Sequence, residues 1–165
     1  MGGYGSGRWG SHSKKTTVQE CRSLDAAWWM REKLLEEGTF RSGALHWTDA
    51  HTGEERASLG YEVNATMTGL PPYVRLHYSL TRSGENLDYK VLLGTTRPRF
   101  GGLRWWFICP LIANGRKCGR RVGKLYLPPG GKYYGCRHCY DLTYRSAQAS
   151  NSRLTRLFRQ YGIGA

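Results

Sequence analysis

The sequence has no long apolar run. Its longest, Trp105 to Ala113, is nine residues and contains Pro110. A bilayer-spanning helix needs about 20 residues, so no membrane span is expected. The N-terminus has no apolar h-region, so no signal peptide is expected either. Cysteine is sparse, with five in the chain, yet four fall between positions 109 and 139. Clustered cysteines without a secretory signal fit a reducing cytoplasm and a metal site better than disulfides. Acidic residues run out part-way along. Residues 1–88 hold ten Lys/Arg and eleven Asp/Glu, whereas residues 89–165 hold fifteen Lys/Arg and a single acid, Asp141. A half-chain this basic calls for a polyanion, and nucleic acid is the commonest one in a cytosol. No nucleophile elbow, Walker A loop or paired-carboxylate motif is present.

The cysteines come in two pairs. Cys109 and Cys118 are separated by eight residues, Cys136 and Cys139 by two, and seventeen lie between the pairs. Four thiols brought together as two pairs suit a tetrahedral ion. The first spacing is wider than a usual knuckle, and Asn114-Gly115 offers a turn inside it. Between the pairs, Arg121–Leu127 and Lys132–Tyr134 read as two strands joined by Pro128-Pro129-Gly130-Gly131. Unliganded buried cysteines and a redox-active Cys136/Cys139 pair are the alternatives, and His138 is a possible substitute ligand. Zinc is favoured over an iron–sulfur cluster for four thiolates in a structural setting. Cys21 stands alone and reads as a packed thiol.

Two knuckles at the ends of a β-hairpin resemble a zinc ribbon over about thirty residues. That resemblance implies one structural Zn²⁺ held by Cys109, Cys118, Cys136 and Cys139, and a leaning toward nucleic-acid or protein-assembly roles. The whole chain also resembles small bacterial and phage proteins with a Gly3-Tyr4-Gly5-Ser6-Gly7-Arg8 start and a late cysteine-rich segment, a family with no activity to carry over.

Taken in order, residues 1–16 hold five glycines and three serines with no core-forming side chain, and read as a flexible basic arm. Gly5 to Gly10 fits G-x-G-x-x-G, but no strand precedes it, so a dinucleotide site is rejected. Met1-Gly2 through Ser6 fits a myristoylation pattern, which matters only in a cell with the transferase. Residues 17–38 are expected to be helical. Thr17-Val18-Gln19-Glu20 forms a capping box, Leu24, Ala27, Trp28, Leu34 and Leu35 fall near one face, and Gly38 ends the segment. A helix packed on a sheet is favoured there over a helix-turn-helix. From Gly43 to Ile108 the apolar period becomes two, with inward positions Leu45/Trp47, Leu59/Tyr61/Val63/Ala65, Val74/Leu76/Tyr78/Leu80, Leu87/Tyr89/Val91/Leu93 and Leu103/Trp105/Phe107. These are five half-buried strands with short links, hence an antiparallel meander. Leu154, Leu157, Phe158 and Tyr161 make a helical stripe after Ser152.

The resulting expectation is an α+β fold. It comprises an arm (1–16), a short N-terminal helix and antiparallel β-meander (17–100), a zinc ribbon continuous with the sheet (101–144) and a basic C-terminal helix (145–165). The expected function is nucleic-acid binding rather than catalysis, with DNA favoured over RNA. Its cationic contacts would be Arg97, Arg99, Arg116, Lys117, Arg120, Arg121, Lys124, Lys132, Arg137, Arg153, Arg156 and Arg159. An RNA- or ribosome-associated role, a protein adaptor for a nucleic-acid enzyme, and a metal-dependent nuclease using His46, Asp49 and His51 are the rivals. Oligomeric state is left open.

Overall fold

In a computed structural model, which describes residues 14–49, 51–113, 115–148 and 160, the alternating segments pair in chain order. The ten strands among the described residues are β1 (Arg22–Asp25), β2 (Phe40–Thr48), β3 (Glu55–Asn64), β4 (Tyr73–Ser79), β5 (Asn86–Thr96), β6 (Arg104–Ile108), β7 (Ile112–Ala113), β8 (Arg116–Lys117), β9 (Arg121–Val122) and β10 (Lys124–Leu127). One six-stranded sheet runs β2-β3-β4-β5-β6-β9, and every pairing in it is antiparallel. Its inner face carries the alternating side chains: Leu59, Val63, Val74, Leu76, Val91, Leu93, Trp105 and Phe107 are buried. Period-two burial of β-branched and aromatic residues holds such a sheet together.

Three parts of the expected architecture differ from the structure. Among the described residues strands make up 44% and helices 10%, so the fold is mostly β rather than α+β. The expected helix over 17–38 is broken into a 3-10 turn at Val18–Glu20, strand β1 and a six-residue helix α1 (Ala26–Arg31). The cause is local. Asp25 Oδ1 accepts the Ala27 amide at 2.9 Å, which starts a new helix at Ala26. Lys33, with φ 56°, ends that helix in the left-handed region. The apolar stripe of Leu24, Ala27, Trp28, Leu34 and Leu35 runs across both breaks. The residues actually buried are Leu24, Ala26, Trp29 and Leu35, while Trp28 lies at the surface. Trp29 is the pivot of the core, with its ring 5.1 Å from Tyr61 and 5.8 Å, edge-on, from Phe107. The capping box of Thr17 and Glu20 is present, with Glu20 Oε2 accepting the Thr17 amide at 2.7 Å, but it encloses only this one 3-10 turn.

The second correction concerns the end of the chain. Past Tyr144 it enters a helical turn, with the Ala147 amide donating to the Tyr144 carbonyl at 3.0 Å. There is no long basic C-terminal helix among the described residues. The Leu154/Leu157/Phe158/Tyr161 stripe, Arg153, Arg156 and Arg159 lie outside the described residues, as does most of the arm. No described helix is long and apolar enough to cross a membrane.

The segment expected as one ribbon strand is shared between two sheets. It breaks at Gly123: β9 adds to the large sheet against β6, and β10 pairs antiparallel with β1, from Arg22↔Leu127 to Asp25↔Lys124. The Gly123 carbonyl accepts the Ala26 amide at 2.9 Å, tying that switch to the start of α1. Lys132–Tyr134 forms no strand, and its return contact is a single Tyr126↔Gly135 bridge.

Candidate metal centre and the basic surface around it

Each cysteine is placed by a different local device. Cys109 follows directly from β6, so the sheet itself positions the first thiol. The wide spacing to Cys118 is taken up by the small β7–β8 hairpin, where Ile112 pairs with Lys117 and Ala113 with Arg116. Gly115, at φ 74°, sits in its turn, a backbone state glycine adopts without steric cost. The hairpin returns Cys118 beside Cys109: the Cys118 amide donates to Leu111 O at 2.8 Å and the Gly119 amide to Cys109 O at 3.2 Å. The second pair sits on a tight turn, where the Cys139 amide donates to Cys136 O at 3.1 Å.

The four Sγ atoms lie within 4.8 Å of one another. Cys109 and Cys139 sulfurs are 3.9 Å apart, and Cys118 and Cys136 sulfurs are 3.8 Å apart. A tetrahedron of sulfurs about 2.3 Å from a central zinc has an edge of about 3.8 Å. Backbone amides point at the sulfurs, Cys136 N to Cys109 Sγ at 3.3 Å and Cys139 N to Cys136 Sγ at 3.4 Å. Cys109 and Cys136 are buried within the main hydrophobic cluster, together with Tyr134 and Phe107. Burial pushes the Cys109 thiol up to about 11 and raises Cys139 as well. At Cys118 burial is outweighed by hydrogen bonding, first from the Arg120 amide, and the thiol sits below its usual value. Buried thiols that resist ionisation become thiolates once a cation occupies the site. This cluster can hold a metal ion. His138 is exposed and outside it. Cys21 is also outside, with its thiol directed to Thr17 O at 3.3 Å.

Tyrosines dock the second cysteine pair onto the sheet. The Tyr134 amide donates to Tyr89 Oη at 2.9 Å, and the Tyr78 and Tyr89 hydroxyls are 3.2 Å apart. Tyr78 Oη donates to Lys132 O and Tyr140 Oη to Tyr133 O. The tyrosines interleaved among the ribbon's cations therefore serve largely as its floor.

The sequence-derived cations fall into distinct settings. Arg116 and Lys117 on β8, with Arg120 and Arg121 beside the Cys118 turn, are exposed. None of these four appears in an ion pair with a described carboxylate. Lys124 pairs with Asp25 at 2.9 Å and Lys132 with Glu85 at 2.7 Å. Arg137 is half-buried, 5.3 Å over the Tyr144 ring and donating to Leu142 O at 3.4 Å. Arg97 lines a cleft that also contains Glu36 and Glu37. Arg99 is exposed, and Phe100 beside it is fully exposed, so that ring does not cap the core. The sequence reading missed the Arg104–Trp106 stack on β6, whose guanidinium carbon lies 4.2 Å from the ring centroid. Its signal was the alternation itself, which sends Trp105 inward and Trp106 outward.

The His46/Asp49/His51 group does not converge. Asp49 Oδ1 accepts the His51 amide at 2.7 Å and the Thr52 amide at 3.2 Å, and its other oxygen pairs with Arg56. His46 Nδ1 contacts Glu55 at 2.9 Å. Among the described residues the four cysteines are the one group that could hold a metal.

No protein-family model, curated protein or solved structure matches the chain significantly. The resemblance to small bacterial and phage proteins therefore gains nothing from these comparisons. What stands of it is the four-cysteine cluster, which is compatible with a zinc-ribbon segment.

Proposed function

We propose that the protein binds nucleic acid, DNA in preference to RNA, through a basic surface held in shape by one structural zinc ion. The metal part rests on the sulfur geometry. Edges of 3.8 and 3.9 Å match a single zinc ion in a tetrahedron of thiolates. Cysteines this close together leave room for one ion rather than for a multi-iron cluster, whose thiolates ligate separate irons. No ligand position remains for water or substrate, the arrangement of structural rather than catalytic zinc.

The observation that carries the nucleic-acid part is the unpaired charge around that site. Arg116, Lys117, Arg120 and Arg121 lie exposed within five positions of one another, and the only acid after residue 88, Asp141, pairs with Lys15 at 2.6 Å. Four thiolates and Zn²⁺ sum to two negative charges, which offsets part of this positive field. The remaining cations and Arg99 stay available to phosphates.

Purified protein is titrated with duplex DNA, single-stranded DNA and RNA at low salt. Binding that weakens steeply with salt supports the proposal, and tighter binding to RNA favours the RNA- or ribosome-associated reading. Absence of binding to all three refutes it. A protein-adaptor role is favoured by one feature, the nine-residue strand β2, which lies at the edge of the large sheet with β3 as its only described neighbour. A stoichiometric partner retained after nuclease treatment would select that role.

A further inference from the structure

We propose that the outer face of β5, β6 and β9 is a stacking site for an unpaired base of single-stranded DNA, with Trp106 and Arg104 as the stacking pair. This rests on the nucleic-acid reading and adds to it the form of the strand and the residues that hold the base.

Trp106 points outward from β6, opposite Gly94 of β5. Its Nε1 donates to Thr96 Oγ1 at 2.9 Å, and the far edge of the ring lies 4.0 Å from where a Cβ on Gly123 would be. The indole therefore spans the sheet from β5 to the residue after β9, anchored at one end. Gly94 on β5 and Gly123 after β9 flank it and bring no side chain of their own, while Ile108 and Arg121 lean over Gly94, with Ile108 Cδ1 3.2 Å from where a Cβ there would be. An indole held this way loses little rotational freedom when a planar ligand settles on it.

Arg104, two residues earlier on the same face, lays its guanidinium over the ring at 4.2 Å. It is exposed and makes no ion pair with a described carboxylate. Arg121 lies over Gly94, its Cδ 3.5 Å from the position of a Cβ there. Leu92 is 45% exposed one position further along β5 on this face. The face therefore offers a half-buried indole with a guanidinium plane laid on it, on which bases also stack, and Arg121 beside them as a second cation. Beyond Asp88, none of the three strands carries a carboxylate. This chemistry suits an exposed base with a phosphate on each side. A duplex hides its base planes, so single-stranded DNA is the fitting partner.

The test separates base stacking from charge. Wild-type protein is titrated with a short oligothymidylate and with an abasic oligomer of equal length and charge, at one salt concentration. Stacking on one aromatic side chain contributes about 5- to 160-fold per base. The oligothymidylate should bind tighter by a factor in that range, and tighter than duplex of the same length. Trp106→Leu should bring the two oligomers within about twofold of each other, with Arg104→Ala giving a partial loss. Should Trp106→Leu fail to fold by circular dichroism, Arg104→Ala alone decides, since Arg104 is exposed. Arg116→Gln/Lys117→Gln should weaken both oligomers equally. Equal wild-type binding to the two oligomers overturns the stacking proposal while leaving the nucleic-acid reading intact. So does a base preference unchanged by Trp106→Leu or, where that variant is unfolded, by Arg104→Ala. A ribo-oligomer bound tighter than its DNA counterpart overturns the choice of DNA. No binding to any oligomer overturns both readings.

Discussion

Reversing Arg120 and Arg121 to Glu is the perturbation whose size follows most directly from the structure. Both are exposed, and neither has a described carboxylate partner. Lys124 and Lys132 are tied to Asp25 and Glu85, Arg137 is packed on Tyr144, and Arg97 lines a cleft that also contains two glutamates. That leaves Arg99, Arg116, Lys117, Arg120 and Arg121 as the described cations best placed for phosphates, with Arg104 committed to Trp106. With a slope of about −0.9 per neutralised phosphate on duplex DNA, five contacts give log K against log salt a slope of roughly −4.5. Losing two contacts should flatten it to roughly −2.7 and, at 0.1 M salt, lower affinity by at least about 60-fold, since each contact contributes about 0.9 log units there. The loss should be similar on unrelated sequences, because phosphate contacts position without specifying. The assay is fluorescence anisotropy with labelled duplex at four or more salt concentrations. A double variant with an unchanged slope would refute the placement of the phosphate contacts at the Cys118 turn.

Other expectations follow from the same geometry. Cys136→Ser removes one of the four clustered sulfurs, from a fully buried position. If a structural zinc contributes on the order of 10 kcal/mol, losing a quarter of it weakens metal affinity by roughly two orders of magnitude, readable by competition with a colorimetric chelator. The near-UV circular dichroism of the tyrosines that dock this segment should change in parallel. Cys21→Ser should leave metal content unchanged by elemental analysis, since that thiol lies outside the cluster. Trp29→Ala should cost about 3–5 kcal/mol in urea unfolding, because the ring is wholly buried against Tyr61 and Phe107. A loss below about 1 kcal/mol would place the core elsewhere.

The meander strands were legible because alternation is a local signal that the folded sheet preserves: Val74 and Leu76 point inward, as do Leu59 and Val63. The four-cysteine group was legible from spacing, and the wide first gap was explained by a hairpin that turns at Gly115. The N-terminal segment was misread because a 3.6-residue stripe can be drawn through apolar residues even when the backbone breaks at Asp25 and Lys33. Only the β1–β10 pairing reveals that Leu24 is a strand residue, and such non-local pairing leaves no local signature. The division of one apparent strand at Gly123 was hidden for the same reason. Charge counting found the basic half of the chain but could not show that Lys124 and Lys132 are neutralised by Asp25 and Glu85 from the acidic half.

The most direct test is the metal itself. Protein expressed without added metal is purified, analysed for elemental content, and its metal edge measured by X-ray absorption. The expected result is one zinc per chain surrounded by four sulfurs at about 2.3 Å. The contradicting result is a metal-free, folded protein that is unaffected by chelators, or a bound metal with nitrogen or oxygen ligands in place of the four cysteine sulfurs.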